Sequence, residues 1–139
     1  MEEKFNIDNY RQLLSVLDIY DDEACRIFET LRKADAEAGT KVLKFGKNSY
    51  VERIGWDFAD KDALCITYYD YGYDLYDSDN IYIPIKIFGN DTLIEAWIKE
   101  KIQEELSNLE KKKEQQKSKL RAFELAEYER LKAKFENEQ

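Results

Sequence analysis

In 139 residues the chain has no histidine, a single proline, five glycines and two cysteines. Each shortage removes a class of chemistry. Without imidazole there is no His-based triad, no His general base and none of the usual zinc or non-haem iron ligand sets. The glycines stand singly, so neither G-x-x-x-x-G-K-[S/T] nor G-x-G-x-x-G is present to cradle a phosphate. Cys25 lies in a helical pattern beside Ile27 and Phe28, and Cys65 in the strand-like Leu64-Cys65-Ile66. Both read as small buried hydrophobes rather than ligands. No run approaches the ~18–20 consecutive apolar residues of a membrane span. The opening Met-Glu-Glu-Lys-Phe-Asn has neither the basic nor the apolar region of a secretory signal. The expectation is a cytoplasmic protein with no cofactor, no bound metal and no membrane contact.

What the chain has in abundance is helix. From Thr92 to Glu136 there is no glycine or proline, and at ~1.5 Å per residue an unbroken helix of that length reaches roughly 65 Å. Gly89-Asn90-Asp91 precedes it, and Thr92-x-x-Glu95 matches a capping box. Leu93, Ile94, Trp97, Ile98 and Ile102 are dense enough to pack on a parent domain, and Leu106 and Leu109 continue the stripe. Lys113 and Gln116 then stand where a heptad seam needs Leu or Ile; Leu120, Phe123, Tyr128, Leu131 and Phe135 resume it. Two apolar patches around a polar spacer suit antiparallel pairing, or a reversal near Gln115–Ser118, better than a uniform parallel coiled coil. Leu106, Leu109, Leu120, Phe123, Tyr128, Leu131 and Phe135 are the expected self-association residues, with a homodimer favoured.

The residues before this helix divide naturally into a small acidic domain over 1–91, leaving 92–139 as the tail. Asp8 is a suitable N-cap for a helix carrying Tyr10, Leu13, Leu14, Leu17 and Tyr20 on one face. Asp21-Asp22-Glu23 places negative charge where a second helix would begin, with Ala24, Ile27, Phe28 and Leu31 on one side and a stop at Gly39. Strand signals follow at Lys41–Phe45, at Ser49–Phe58 with a bulge expected at Gly55, at Ala63 to about Tyr71, and at Ile81–Phe88. Asp77-Ser78-Asp79-Asn80 reads as a turn, and Pro84 sends the last strand to a sheet edge or ends it there. The pattern predicts an α+β fold: two N-terminal helices, an antiparallel meander of three or four strands, then the long helix.

Charge sharpens the functional reading. Residues 1–98 carry a net charge of −9 and residues 99–139 carry +1. An acidic body repels phosphate backbones and anionic lipid, which argues against direct nucleic-acid or membrane binding. Six of the ten tyrosines and four aspartates fall within residues 68–82. Regular negative charge beside rigid amphipathic rings makes Asp70, Tyr71, Asp74, Tyr76, Asp77 and Asp79 the candidate partner-binding surface. Such carboxylates could imitate phosphates; the plainer alternative is a soluble sheet edge. A metal role fares worse, because Asp77-x-Asp79 begins like a calcium loop but puts Ile81, Tyr82 and Phe88 where oxygen, glycine and glutamate are required.

Two further stretches carry a resemblance. Ile83-Pro84-Ile85-Lys86-Ile87-Phe88 leads through an acidic turn into a Trp97-Ile98 helix, and the chain runs Tyr128-Glu129-Arg130-Leu131-Lys132-Ala133-Lys134-Phe135-Glu136 near its end. Over its last 55 residues or so the chain resembles small uncharacterised proteins of bacteriophages and prophages. The resemblance implies a phage accessory protein in the host cytoplasm, one that binds and blocks a host enzyme or defence complex. It implies no catalytic residues. The expected function is thus a non-enzymatic acidic binding protein that self-associates through its tail and inhibits or sequesters a host or phage protein. A structural assembly accessory with a coiled-coil tail is the alternative, and a small Asp-based metal enzyme ranks last.

Overall fold

A computed structural model describes residues 5–56, 60–71 and 77–137. Helix α1 spans Ile7–Ala38, strands β1, β2 and β3 span Ser49–Trp56, Ala63–Asp70 and Ser78–Pro84, and helix α2 spans Asp91–Asn137. The fold is α+β. The chain forms two compact units, residues 1–102 and residues 103–139.

In the first unit the strands form an antiparallel sheet in the order β1-β2-β3. Its inner face carries Leu64, Ile66, Tyr68 and Ile83. Against that face pack Ala24, Ile27, Phe28 and Leu31 of α1, with Ile94, Trp97 and Ile98 from the first turns of α2, in one continuous core. Phe28 and Phe45 both set their rings against Tyr68, at 5.6 and 5.8 Å between centroids. Burying each such side chain contributes about 1.5–3 kcal/mol, so these residues supply most of the drive to fold.

One helix replaces the two expected before the sheet. Asp21-Asp22-Glu23 does not interrupt α1, because Asp and Glu cost little inside a helix and Glu23 accepts a 2.7 Å bond from Arg26 Nε one turn on. The apolar spacing also stays in phase through the acidic stretch. At the ends, Asn6 rather than Asp8 is the N-cap, its side chain accepting from Asn9 N at 2.8 Å. Gly39 ends the helix as expected, in the left-handed region at φ 68°, and its N–H bonds back to Ala36 O. At α2 the cap is likewise two residues earlier: Asn90 Oδ1 accepts from Leu93 N at 3.2 Å, and the helix begins at Asp91 rather than after Thr92.

Three strand expectations change as well. Lys41–Phe45 is a loop leading into a short 3-10 turn at Gly46–Asn48. Ser78–Asn80 belongs to β3 rather than to a turn, and Ile85–Ile87 is a 3-10 turn that follows Pro84. The bulge lies between Val51 and Arg53 instead of at Gly55. The extra residue, Glu52, lets Val51 and Ile54 both turn inward, opposite Tyr68 and Ile66. Pro84 sits at the end of an edge strand, paired with Ala63, where its missing N–H removes no interior ladder bond.

The second unit is helix throughout its described residues, 103–137. Leu120, Phe123, Tyr128, Leu131 and Phe135 are all exposed on it. Glu127 accepts a 2.9 Å bond from Arg130 one turn along.

Candidate interaction surface

Alternation along β2 sorts the acidic and aromatic residues onto two faces. Tyr69 lies opposite Tyr50 and alternates with the core residue Tyr68, and Tyr71 N bonds to Asn48 O at 2.8 Å at the end of the ladder. Tyr50 packs on Tyr69 and Tyr71 with ring centroids 5.8 and 5.5 Å apart. Tyr71 is 68% exposed and Tyr50 55%. Their outer edges border a hollow of about 360 Å³ shared with Glu29, Arg32, Lys47, Asn48 and Ser49. The guanidinium in that hollow is already matched. Arg32 bonds the Glu29 carboxylate and donates to Lys47 O at 2.7 Å. The bond from Arg32 holds the Glu29 carboxyl below its ordinary range, and Glu29 raises Arg32 in return.

The aspartates lie on the other face, with Tyr68. Asp79 faces Tyr68 across the ladder and accepts its hydroxyl proton at 3.2 Å, and Lys44 N donates to the same hydroxyl at 3.1 Å. Asp77 is exposed and accepts from Lys44 Nζ at 3.1 Å. Asp70 is half-buried opposite Ser49. Its Oδ1 and the Ser49 Oγ are buried without a hydrogen-bond partner among the described residues. Asp74 and Tyr76 lie outside the described residues. The structure therefore brings Asp77 and Asp79 together around Lys44 and Tyr68, and separates both from the outward-facing Tyr71. Burial, the largest cause, and the charge on Asp79 push the Tyr68 hydroxyl up to about 12.

Among the described residues no group of three or more Cys, Asp or Glu side chains gathers as a metal site would require. Cys25 is exposed, a correction to its expected burial, because it falls just off the stripe that holds Ala24 and Phe28. Partial shielding, then Asp21 and Asp22, push its thiol above the ordinary range.

Two features escaped the sequence reading. The first is Asp35, fully buried in the last turns of α1. Its carboxylate accepts from Val42 N and Leu43 N at 3.1 Å each and from the Thr40 hydroxyl. These bonds fold the 40–43 loop beneath the sheet and seat Leu43 in the core. The signal was a carboxylate four residues after Leu31, on the apolar stripe itself. The second is the free end of α1. Tyr10, Leu13, Leu14 and Leu17 lie on the helix face that continues as Ala24, Ile27, Phe28 and Leu31. Yet Tyr10 is 61%, Leu13 54% and Leu14 42% exposed. Leu17 is half-buried, and Tyr20 meets Phe88 at 5.7 Å.

No family model, curated protein or solved structure matches this chain. Among the described residues no helix is long and apolar enough to cross a membrane.

Proposed function

We propose that this is a non-enzymatic binding protein that self-associates through its helical tail and holds a protein partner against its domain. The observation that carries the reading is the run of large apolar side chains along residues 120–135, where Phe123 is 63% and Phe135 71% exposed. Exposed residues of that size at helical spacing are costly in water, and an interface offsets the cost. A dimer built on such a face accounts for the spacing without invoking chemistry. The resemblance to phage and prophage proteins supplies the setting, a host or phage protein as the target.

For the partner, the open tyrosine face of the sheet is better suited than the acidic residues. Tyr50 and Tyr71 offer rigid rings with free edges. Asp77 and Asp79, by contrast, are engaged by Lys44 and Tyr68, which weakens the case for phosphate mimicry. Sedimentation equilibrium of the full chain tests the self-association. The mass should rise to that of a dimer with concentration, and Leu120→Glu with Phe123→Glu should hold it at that of a monomer. A wild-type chain that stays monomeric at its highest soluble concentration refutes the reading.

A further inference from the structure

We infer that the exposed stripe at the free end of α1 is the docking surface for the tail of a second copy, the two helices lying antiparallel. The inference rests on the reading that the tail drives self-association and names what the tail packs on. Three observations carry it. The first is apolar match. Ile7 to Tyr20 along α1 covers ~20 Å at 1.5 Å per residue and Leu120 to Phe135 covers ~22 Å, and both stretches are lined with exposed side chains.

Charge is the second. Residues 6–22 hold four aspartates and one arginine, a net of −3, whereas residues 117–135, the tail patch with the turn before it, hold six cations and three glutamates, a net of +3. Two α1 stripes would bring like charges together, so α1 does not suit itself. The Asp21 carboxyl is already raised, by partial burial first and then by Asp18 and Asp22. A cation beside it would relieve that crowding.

Direction is the third. The acidic end of the α1 stripe is its C-terminal end, at Asp18, Asp21 and Asp22, while the tail carries cations at both ends of its patch, Lys117, Lys119 and Arg121 at one and Arg130, Lys132 and Lys134 at the other. Opposed helix dipoles favour the antiparallel arrangement, which sets the Lys117–Arg121 end beside those aspartates. Each chain carries one of each surface, so in a dimer the stripe of one copy meets the tail of the other.

Sedimentation velocity on full-length chains tests this, with circular dichroism confirming that helix content is kept. Leu13→Glu with Leu17→Glu should weaken the dimer more than about 100-fold, because two apolar side chains leave the contact and two charges enter it. Leu131→Glu with Phe135→Glu should do the same. An equimolar mixture of the two monomeric variants should recover a dimer, because one intact stripe then meets one intact tail. Charge gives a second arm. Asp18→Lys with Asp21→Lys should weaken the dimer, and mixing with a Lys117→Glu, Arg121→Glu chain should strengthen it again. If the α1 variant remains a dimer while the tail variant does not, the tail pairs with itself; this inference falls and self-association stands. If the two monomeric variants fail to complement each other, the inference also falls. A wild-type monomer at every concentration overturns both.

Discussion

Replacing Asp35 by alanine should destabilise the folded domain by about 3 kcal/mol, more than truncating most surface carboxylates. The carboxylate is fully buried and satisfies three donors, Val42 N, Leu43 N and the Thr40 hydroxyl. Hydrogen bonds to a charged group contribute ~1.5–3 kcal/mol each, and they do not add fully. Alanine leaves two buried backbone N–H groups unpaired and loosens the loop that seats Leu43. Asparagine keeps one acceptor oxygen but aims an NH₂ group at a donor, so about half the loss should remain. Urea unfolding followed by tryptophan fluorescence is the suitable assay, because residues 103–139 contain no tryptophan. With an m-value on the order of 1–2 kcal/mol/M, the midpoint should fall by roughly 2 M. A shift of less than ~0.3 M for the alanine variant would show that water replaces the carboxylate without loss, and the account of the 40–43 loop would be wrong.

Four further outcomes follow. Tyr68 holds its proton up to about 12 in the fold against its usual 10, so its contribution is intact below pH 10 and is lost as pH climbs to 12. That loss is up to ~2.7 kcal/mol, and a Tyr68→Phe variant should show a visibly shallower fall in urea stability over that window. Gly39→Ala should lower stability by about 1–2 kcal/mol, because φ is 68° there; a melting temperature unchanged by the substitution would contradict the left-handed cap. Leu31→Ala should cost ~2–5 kcal/mol by opening a cavity in the core, read as a lower urea midpoint with an unchanged m-value. Cys25, with its thiol raised by shielding and by Asp21 and Asp22, should react with a maleimide at pH 7 more slowly than glutathione does. Equal rates would mean that the two aspartates do not act on the sulfur.

The class of fold was legible in the sequence because β-branched and aromatic alternation, with Pro84 near the edge, leaves few options besides an antiparallel meander. The long final helix was legible for a simpler reason, the absence of anything that ends one. The missed features share a cause. Asp21-Asp22-Glu23 looks like a helix start because carboxylates favour N-termini, but the same residues sit comfortably mid-helix when the apolar stripe stays in phase. Lys41–Phe45 has strand composition, yet the Asp35 carboxylate, several residues earlier, claims the N–H groups of Val42 and Leu43 that a ladder would have used. The bulge between Val51 and Arg53 depends on which side chains must reach the core, and that is set by the partner strand. For the candidate surface, spacing identified the tyrosines and aspartates but not their faces. Asp79 turns toward Tyr68 while Tyr71 turns outward, a consequence of pairing register that composition does not carry.

The two margins of the sheet differ from those of sheets that polymerise. One is kinked where Glu52 is squeezed out of the ladder, and the other ends at a residue with no amide hydrogen to offer. The kink at Glu52 breaks the flat row of donors and acceptors that a neighbouring strand would need along β1. Along β3 only the final position, Pro84, lacks an amide hydrogen, so any strand added there would lose its pairing at that end.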